Sequence, residues 1–247
     1  MMSSDGLKPT KPTGSKVTPN PKGKPPSPSK WILSNDPTGN PDFFHAHKVF
    51  VPYCSSDEFA GTQTTASAET FGYYFGGKLS LQHIFGALKK EHPTALGSAS
   101  RVLLAGSSAG GIGVFHNIDW VRDFFPSSTV VKAAPLGGWF VPGFTADQPE
   151  PFYPPSLWPQ WEIGQVTDWS ALNGTYDVWR PYVNPACAKS FGPNRSSNCI
   201  SATVVYPFIQ VPMFIMENNY DTNQLQAGLG FPNPAPTCVI CVSSGMY

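Results

Sequence analysis

Residues 101–113, RVLLAGSSAGGIG, decide the fold of this chain. The first five predict a buried strand, and the apolar positions of 112–125 predict a helix packed on a sheet. Between them, Ser108 has Gly106 two residues before it and Gly110 two residues after it. Small residues at these places let the backbone turn sharply enough to project a serine hydroxyl above the strand ends. The segment therefore predicts a nucleophile elbow.

The residue after the serine adds a second element of hydrolytic chemistry. Ala109 stands at the predicted start of the helix, where its backbone N–H is placed to donate to an oxyanion. The alternative is an ordinary glycine-rich turn without a chemical role. A strand before Ser108 and a helix after it favour the nucleophile.

Other segments complete an α/β pattern. Short apolar runs at 47–53, 130–134 and 211–216 predict strands, and the one-sided apolar spacing of 79–91 predicts a helix. The Pro- and Trp-rich stretch 142–193 has no clear period, and we expect an insertion or lid there. The sequence therefore predicts an α/β domain with an irregular insertion.

The composition excludes several classes of protein. Of 247 residues, 27 are Pro and 23 are Gly, and only 13% are charged, which excludes a coiled coil or a long-helix protein. No apolar run reaches the roughly 18 residues of a transmembrane helix. With 40% hydrophobic residues the chain is able to bury a substantial core, most simply in one domain.

The zero net charge conceals two regions of opposite sign. Residues 1–30 hold six Lys against one Asp, so 31–247 hold ten Lys or Arg against fifteen Asp or Glu. The first region also has seven Pro and no aromatic residue, which predicts a disordered tail at 1–30 and a folded domain at 31–247. A basic tail suits nucleic acid, but we favour a solvated tail and predict no nucleic-acid partner.

The cysteines point to a disulfide rather than to a metal. The spacing of Cys187 and Cys199 suits a disulfide-closed loop better than a metal site. Cys238 and Cys241 form a lone Cys-x-x-Cys pair with no second pair and no His nearby, so we predict no metal. Their partners, and that of Cys54, stay open.

Evidence on the cellular compartment is divided. Two glycosylation patterns, at Asn173 and Asn194, fit a secreted protein. Against secretion, no apolar stretch of the length found in signal peptides follows Met1. Either the protein is cytosolic or its real beginning is missing.

Three segments resemble the Notum and pectin acetylesterase family of carboxylesterases. Residues 51–57, VPYCSSD, together with Gly61 are similar to the family's strand and substrate-side loop. Residues 103–113 are similar to its nucleophile segment, and 187–225 to the stretch that holds its acid. The similarity extends over about 31–225, in order and with similar gaps.

The resemblance implies an α/β-hydrolase-like fold with a mostly parallel sheet, no cofactor, and a secreted or cell-wall location. The implied reaction removes O-linked acyl groups, either acetyl from a pectin-like polysaccharide or fatty acyl from a protein. Ser108 is then the nucleophile and Asp221 the acid that orients a histidine. Asp221 also follows a predicted strand and comes after the serine, as in this fold; the alternative is a cap for a helix that starts near Thr222.

A general base is not evident in the sequence. The histidines are His45, His47, His83, His92 and His116. On a helix that starts near Ser108, His116 lies roughly 12 Å along the axis, beyond the roughly 3 Å of a hydrogen bond. The first two precede a predicted strand, at the wrong edge for the elbow.

The family pattern therefore predicts that this chain is incomplete at both ends. The family's base lies beyond the position of Tyr247, and its Gly-Gly-Trp oxyanion segment lies upstream of Trp31. Gly137–Trp139 has the same letters but follows the nucleophile, so we do not assign that role to it. The alternative is a catalytically inactive relative that acts only as a binding protein.

Overall fold

The computed structural model describes residues 31–140, 176–193 and 196–218. The chain divides into two compact units, 1–52 and 53–247.

Several predictions from sequence fall outside the described residues. They include the tail at 1–30 and most of the insertion at 142–193. The predicted site and cysteine residues outside them are Asn173, Asn194, Asp221, Cys238 and Cys241. The boundary at residue 31 between tail and domain stays a prediction.

The described part of the first unit consists of turns. A 3-10 helix spans Trp31–Leu33, and the Asn40 amide donates to the carbonyl groups of Ile32 at 2.9 Å and Ser34 at 2.8 Å. The strand predicted at 47–53 is wrong, because the backbone there forms no strand. A strand needs a neighbour to complete its ladder, and no described residue pairs with this run.

A parallel sheet organises the second unit. Strand β1, Arg101–Ser107, pairs with β2, Val130–Leu136, along its whole length. Both strands begin where the sequence predicts and continue two residues further. The run predicted as a strand at 211–216 lies parallel to β2 but pairs with it only through isolated bridges. Pro212 has no N–H to donate, which limits a regular ladder there.

The helices of the central region follow the predicted apolar spacing. Helix α1 spans Gly77–Glu91, α2 spans Pro93–Gly97 and α3 spans Ala109–Phe124. The first and third confirm the helices predicted at 79–91 and 112–125.

The main core lies between α3 and the sheet. Val114, Ile118 and Val121 on one face of α3 pack against Val131 and Ala133 of β2. Burying one such valine or isoleucine side chain contributes about 1.5–3 kcal/mol. This packing fixes the axis of α3 relative to the sheet, and with it the turn that joins β1 to α3.

A second core cluster forms beside the far face of α3. Helix α4 spans Pro185–Phe191 and α5 spans Ala202–Val205, with 3-10 turns at Ser196–Ile200 and Tyr206–Phe208. Apolar side chains from these elements pack around Phe115 of α3.

The predicted disulfide between Cys187 and Cys199 is confirmed. It joins α4 to the following 3-10 turn, and both half-cystines are fully buried within the second cluster. The Asn184 side chain caps α4 by accepting from the N–H groups of Ala186 and Cys187. This region is therefore held by a covalent link and a polar cap.

Candidate active site

Ser108 occupies the turn between β1 and α3, and its side chain is solvent-exposed. Its backbone has φ +56° and ψ −125°. An L-residue rarely adopts this conformation, and such strain concentrates at functional sites. The sequence-predicted elbow is therefore present in the backbone.

The two glycines beside the elbow are not equally required. A Cβ on Gly106 would overlap the carbonyl group of Gly110, whereas a Cβ on Gly110 would meet nothing within 4 Å. The close approach of the two backbones therefore needs a glycine at 106. The prediction that both positions need a small residue holds for one of them only.

Backbone hydrogen bonds anchor the elbow on two sides. The Ser108 N–H donates to the carbonyl oxygen of Leu136, the last residue of β2, at 2.9 Å. The Ser108 carbonyl oxygen accepts from the N–H of Gly111 at 2.7 Å and from that of Ile112 at 3.1 Å. Ala109 is the first residue of α3, where helix N–H groups have no acceptor within the helix.

The turn after β2 lies directly against this elbow. A Cβ on Gly138 would lie 2.6 Å from the carbonyl carbon of Gly111, so the two backbones are in contact. Gly137 has φ +57°, and its N–H donates to the Met216 carbonyl oxygen at 2.7 Å. The Trp139 N–H donates to Glu217 Oε2 at 2.8 Å.

Glu217 is a polar residue of this edge that sequence reasoning did not single out. It directly follows the run predicted as a strand at 211–216, and that position was the available signal. The acid predicted from the family, Asp221, lies four residues further on and outside the described residues.

His116 sits in α3, eight residues after Ser108, with only 2% of its surface exposed. Neither ring nitrogen has a hydrogen-bond partner in the part of the chain that the structure describes. Its Nε2 lies 3.7 Å from Glu58 Oε2. The ring is therefore enclosed beside a carboxylate and does not serve the elbow.

The other two histidines of this unit belong to α1 and to the position directly after it. His83 Nδ1 lies 2.8 Å from the Leu79 carbonyl oxygen, and His92 follows the last residue of α1. No described histidine of the second unit bonds to the serine hydroxyl.

A buried carboxylate organises loop 54–61. We call it the family-like loop, because its sequence resembles the substrate-side loop of the family. Asp57 is fully buried and accepts from the N–H groups of Gly77 at 2.6 Å and Phe59 at 3.1 Å, and from Ser55 Oγ at 2.5 Å. Positive φ angles occur at Ser56, Glu58 and Phe59. These bonds hold a loop that carries three residues in a strained conformation. Cys54 in this loop is exposed and forms no disulfide with another cysteine of the described residues.

Lys78 is the second buried charged group near this loop. Only 1% of its surface is exposed. Its Nζ donates to Asn117 Oδ1 at 2.9 Å and lies 3.8 and 3.9 Å from the ring centroids of Trp120 and Tyr182. Burial lowers the pKa of Lys78 to about 7, because a charged ammonium loses hydration there. Burial, followed by the charge of Asp119, raises the pKa of Tyr182.

The Lys78 contact reaches the family-like loop through one side chain. The Asn117 amide that accepts from Lys78 donates in turn to the carbonyl oxygens of Phe59 at 3.1 Å and Gly113 at 2.9 Å. An ammonium therefore orients an amide that joins loop 54–61 to α3.

A cleft of about 440 Å³ lies between the segments 63–69 and 176–180, and Ser108 is not among its lining residues. Within the described residues, no three His, Cys, Asp or Glu side chains cluster as metal ligands would. No helix in the same residues has the length and apolarity needed to cross a membrane.

Comparison with known families identifies the chain. Residues 21–238 match the family profile described as pectinacetylesterase. The chain belongs to the pectinacetylesterase family. The match therefore confirms the family that the resemblance in sequence implied.

The family's curated relatives include Notum proteins. The palmitoleoyl-protein carboxylesterase notum1 of Xenopus laevis is 30% identical over 204 residues, covering 78% of this chain and 38% of the relative. The palmitoleoyl-protein carboxylesterase NOTUM of Homo sapiens is 30% identical over 198 residues, covering 78% and 37%. The chain thus spans little more than a third of the length of these relatives.

A solved family structure has the same fold. The structure of the Wnt deacylase Notum from Drosophila superposes with a TM-score of 0.65 at 28% sequence identity. The superposition covers 81% of this chain and 54% of that chain. The α/β-hydrolase-like fold and the family resemblance predicted from sequence are both confirmed.

Proposed function

We propose that this chain forms the nucleophile-bearing part of a serine carboxylesterase that removes O-linked acyl groups. The observation that carries the proposal is the strained backbone of Ser108, with φ +56°, at an exposed strand-to-helix turn. A serine held in this way attacks an acyl carbon, and an N–H at the start of the helix stabilises the oxyanion.

Three residues take named roles in this proposal. Ser108 is the nucleophile, the Ala109 N–H is one oxyanion donor, and Asp221 is the acid that orients a histidine. None of the histidines of the second unit is proposed as the base. His116 is enclosed beside Glu58, and neither His83 nor His92 bonds to the serine hydroxyl. The Ser-His-Asp mechanism is supported here by family membership and chain order.

The substrate class is proposed from what the relatives are described as acting on. The family is described as pectinacetylesterase, and the Notum relatives are described as palmitoleoyl-protein carboxylesterases. We propose either acetyl on a polysaccharide or fatty acyl on a protein as the group removed. Hydrolysis rates on p-nitrophenyl acetate and p-nitrophenyl octanoate distinguish a short-acyl from a long-acyl pocket.

The role of Ser108 is tested against its neighbour. Ser108→Ala is expected to abolish acyl-ester turnover, whereas Ser107→Ala, which changes the exposed serine next to it, is expected to leave turnover within a few-fold. Measurable turnover that is equal in the unchanged chain and in Ser108→Ala would remove Ser108 from any catalytic role.

One observation favours a second candidate function, a catalytically inactive relative that only binds its ligand. It is the position of His83, His92 and His116, none of which bonds to the serine hydroxyl. Losing the base of such a triad costs a factor of about 10⁶ in rate. Saturable binding of an acylated ligand without turnover, unchanged in Ser108→Ala, would support this candidate over the esterase.

Secretion is proposed on the strength of the buried disulfide. Disulfides persist in oxidising compartments and are rare in the cytosol. If the protein is secreted, Asn173 and Asn194 are expected to carry glycans that an endoglycosidase removes with a measurable loss of mass. An unmodified mass in protein isolated from its natural source would argue against it.

A further inference from the structure

We propose that Glu217 is a positioning residue for the Ser108 elbow, an inference that rests on the proposed function of Ser108 as nucleophile. Glu217 follows the segment that pairs with β2, and its carboxylate reaches across to the backbone of the turn after β2. It touches no reacting atom in this assignment. It holds the turn that supports the nucleophile.

Three of the hydrogen bonds that tie the strand ends together at this edge lead towards the elbow. Ser108 donates to the end of β2 at Leu136, and Gly137 donates to Met216 of the next segment. The third bond, from the Trp139 N–H to Glu217 Oε2, is the only one of the three that uses a side chain. It is also charge-assisted, and such bonds are roughly twice as strong as neutral ones.

The turn at 137–139 transmits this restraint to the elbow by direct contact. Gly138 packs backbone to backbone against Gly111 in the first turn of α3. Gly137, at φ +57°, lies between the Glu217 carboxylate and the elbow. A Cβ on it would lie 3.9 Å from Glu217 Oε1 and 4.0 Å from the Ser108 nitrogen. A shift of this turn therefore displaces the backbone around the nucleophile.

The Glu217 carboxylate is itself held by the backbone of its own segment. Glu217 Oε1 accepts from the Asn218 N–H at 3.2 Å while Oε2 accepts from Trp139. Two backbone donors on one carboxylate fix its plane. The Trp139 ring adds an independent anchor, with its centroid 5.6 Å from that of Phe115 and 5.3 Å from that of Tyr206.

Because the ring of Trp139 anchors the turn independently, the test must isolate the contribution of the carboxylate. Backbone amide hydrogen exchange, read by NMR on the ¹⁵N-labelled chain, reports separately on the N–H groups of Ser108, Gly137 and Trp139. In Glu217→Ala, exchange at Trp139 is expected to accelerate at least about tenfold, as the loss of a charge-assisted bond implies. Exchange at Ser108 is expected to accelerate with it.

Glu217→Gln is the matched control, because its amide oxygen keeps an acceptor of the same shape at the Trp139 N–H. It is expected to retain most of the protection at both positions. Glu217→Asp, which withdraws the carboxylate by one methylene, is expected to behave like Glu217→Ala and replaces it if the alanine variant does not fold.

Two results would overturn the assignment. If exchange at Trp139 is unchanged in the alanine and aspartate variants, the carboxylate does not hold the turn. If Trp139 accelerates but Ser108 does not, Glu217 acts on the turn alone and does not position the nucleophile. Neither readout requires ester turnover, so a failure of Ser108→Ala to alter hydrolysis would refute the proposed esterase separately.

Discussion

Gly106 faces the carbonyl group of Gly110 so closely that a side chain at position 106 would overlap it, while position 110 opens onto free space. The two glycines of the elbow therefore differ in what they contribute. The first permits the contact between the end of β1 and the first turn of α3, and the second only supplies the carbonyl group that is contacted.

This asymmetry predicts opposite effects of two alanine substitutions. Gly106→Ala is expected to destabilise the fold by about 2 kcal/mol or more, because the backbone must move to relieve the overlap. Gly110→Ala is expected to be neutral or stabilising by up to about 1 kcal/mol, since alanine favours a helix over glycine. Urea unfolding of both variants measures the difference. Equal losses would show that the close approach at 106 is not restrictive.

The buried Lys78 predicts a pH dependence of stability. Its pKa is about 7 in the folded chain and about 10.4 when exposed, so between these values the unfolded chain binds the proton and the folded chain does not. The free energy of unfolding is therefore expected to rise with pH above 7, by up to about 1.36 kcal/mol per pH unit.

This rise ends at about pH 10.4, where the unfolded chain also loses the lysine proton, and a neighbour of Lys78 acts against it at high pH. The raised pKa of Tyr182 keeps its proton on the folded chain when the unfolded chain has lost it, so stability is expected to fall again above about pH 10. Lys78→Met removes the ammonium at similar volume and is expected to abolish the rise above pH 7. A slope that persists in Lys78→Met would assign it to another group.

Asp57 is expected to be more important for stability than its place in a loop suggests, because its carboxylate is fully buried. Asp57→Asn retains one acceptor but places an amide where three donors converge, which is expected to cost about 2–3 kcal/mol. Asp123→Asn removes an exposed carboxylate paired with Arg122 and is expected to cost at most about 1 kcal/mol. Thermal unfolding of both variants tests the contrast, and similar losses would contradict it.

The Cys187–Cys199 disulfide is expected to stabilise the fold by about 2–4 kcal/mol. The double substitution to alanine removes it without leaving a lone thiol, and its unfolding midpoint in urea is compared with that of the oxidised chain. Cys54→Ala, which changes an exposed cysteine outside this disulfide, is the control and is expected to leave the midpoint unchanged. A midpoint that does not move in the double variant would show that packing alone holds this region.

Local patterns were sufficient for part of this fold. The apolar spacing of α1 and α3 and the apolar runs of β1 and β2 predicted these elements to within three residues at each end, because each pattern reflects a face that must be buried. The same kind of pattern failed at 47–53. A strand is stabilised by the neighbour it pairs with, and a run of apolar residues does not show whether a neighbour exists.

The amino-acid sequence was enough to predict the elbow, because small residues on both sides of a serine permit a sharp turn between a buried strand and a helix, and it was enough to predict the family and the disulfide. Which polar groups support these features depends on tertiary packing. Asp57, Asn117 and Glu217 act on residues 20, 58 and 78 positions away in the chain. Hydrogen bonds over such separations depend on how the strands and helices pack, and no local periodicity records that packing.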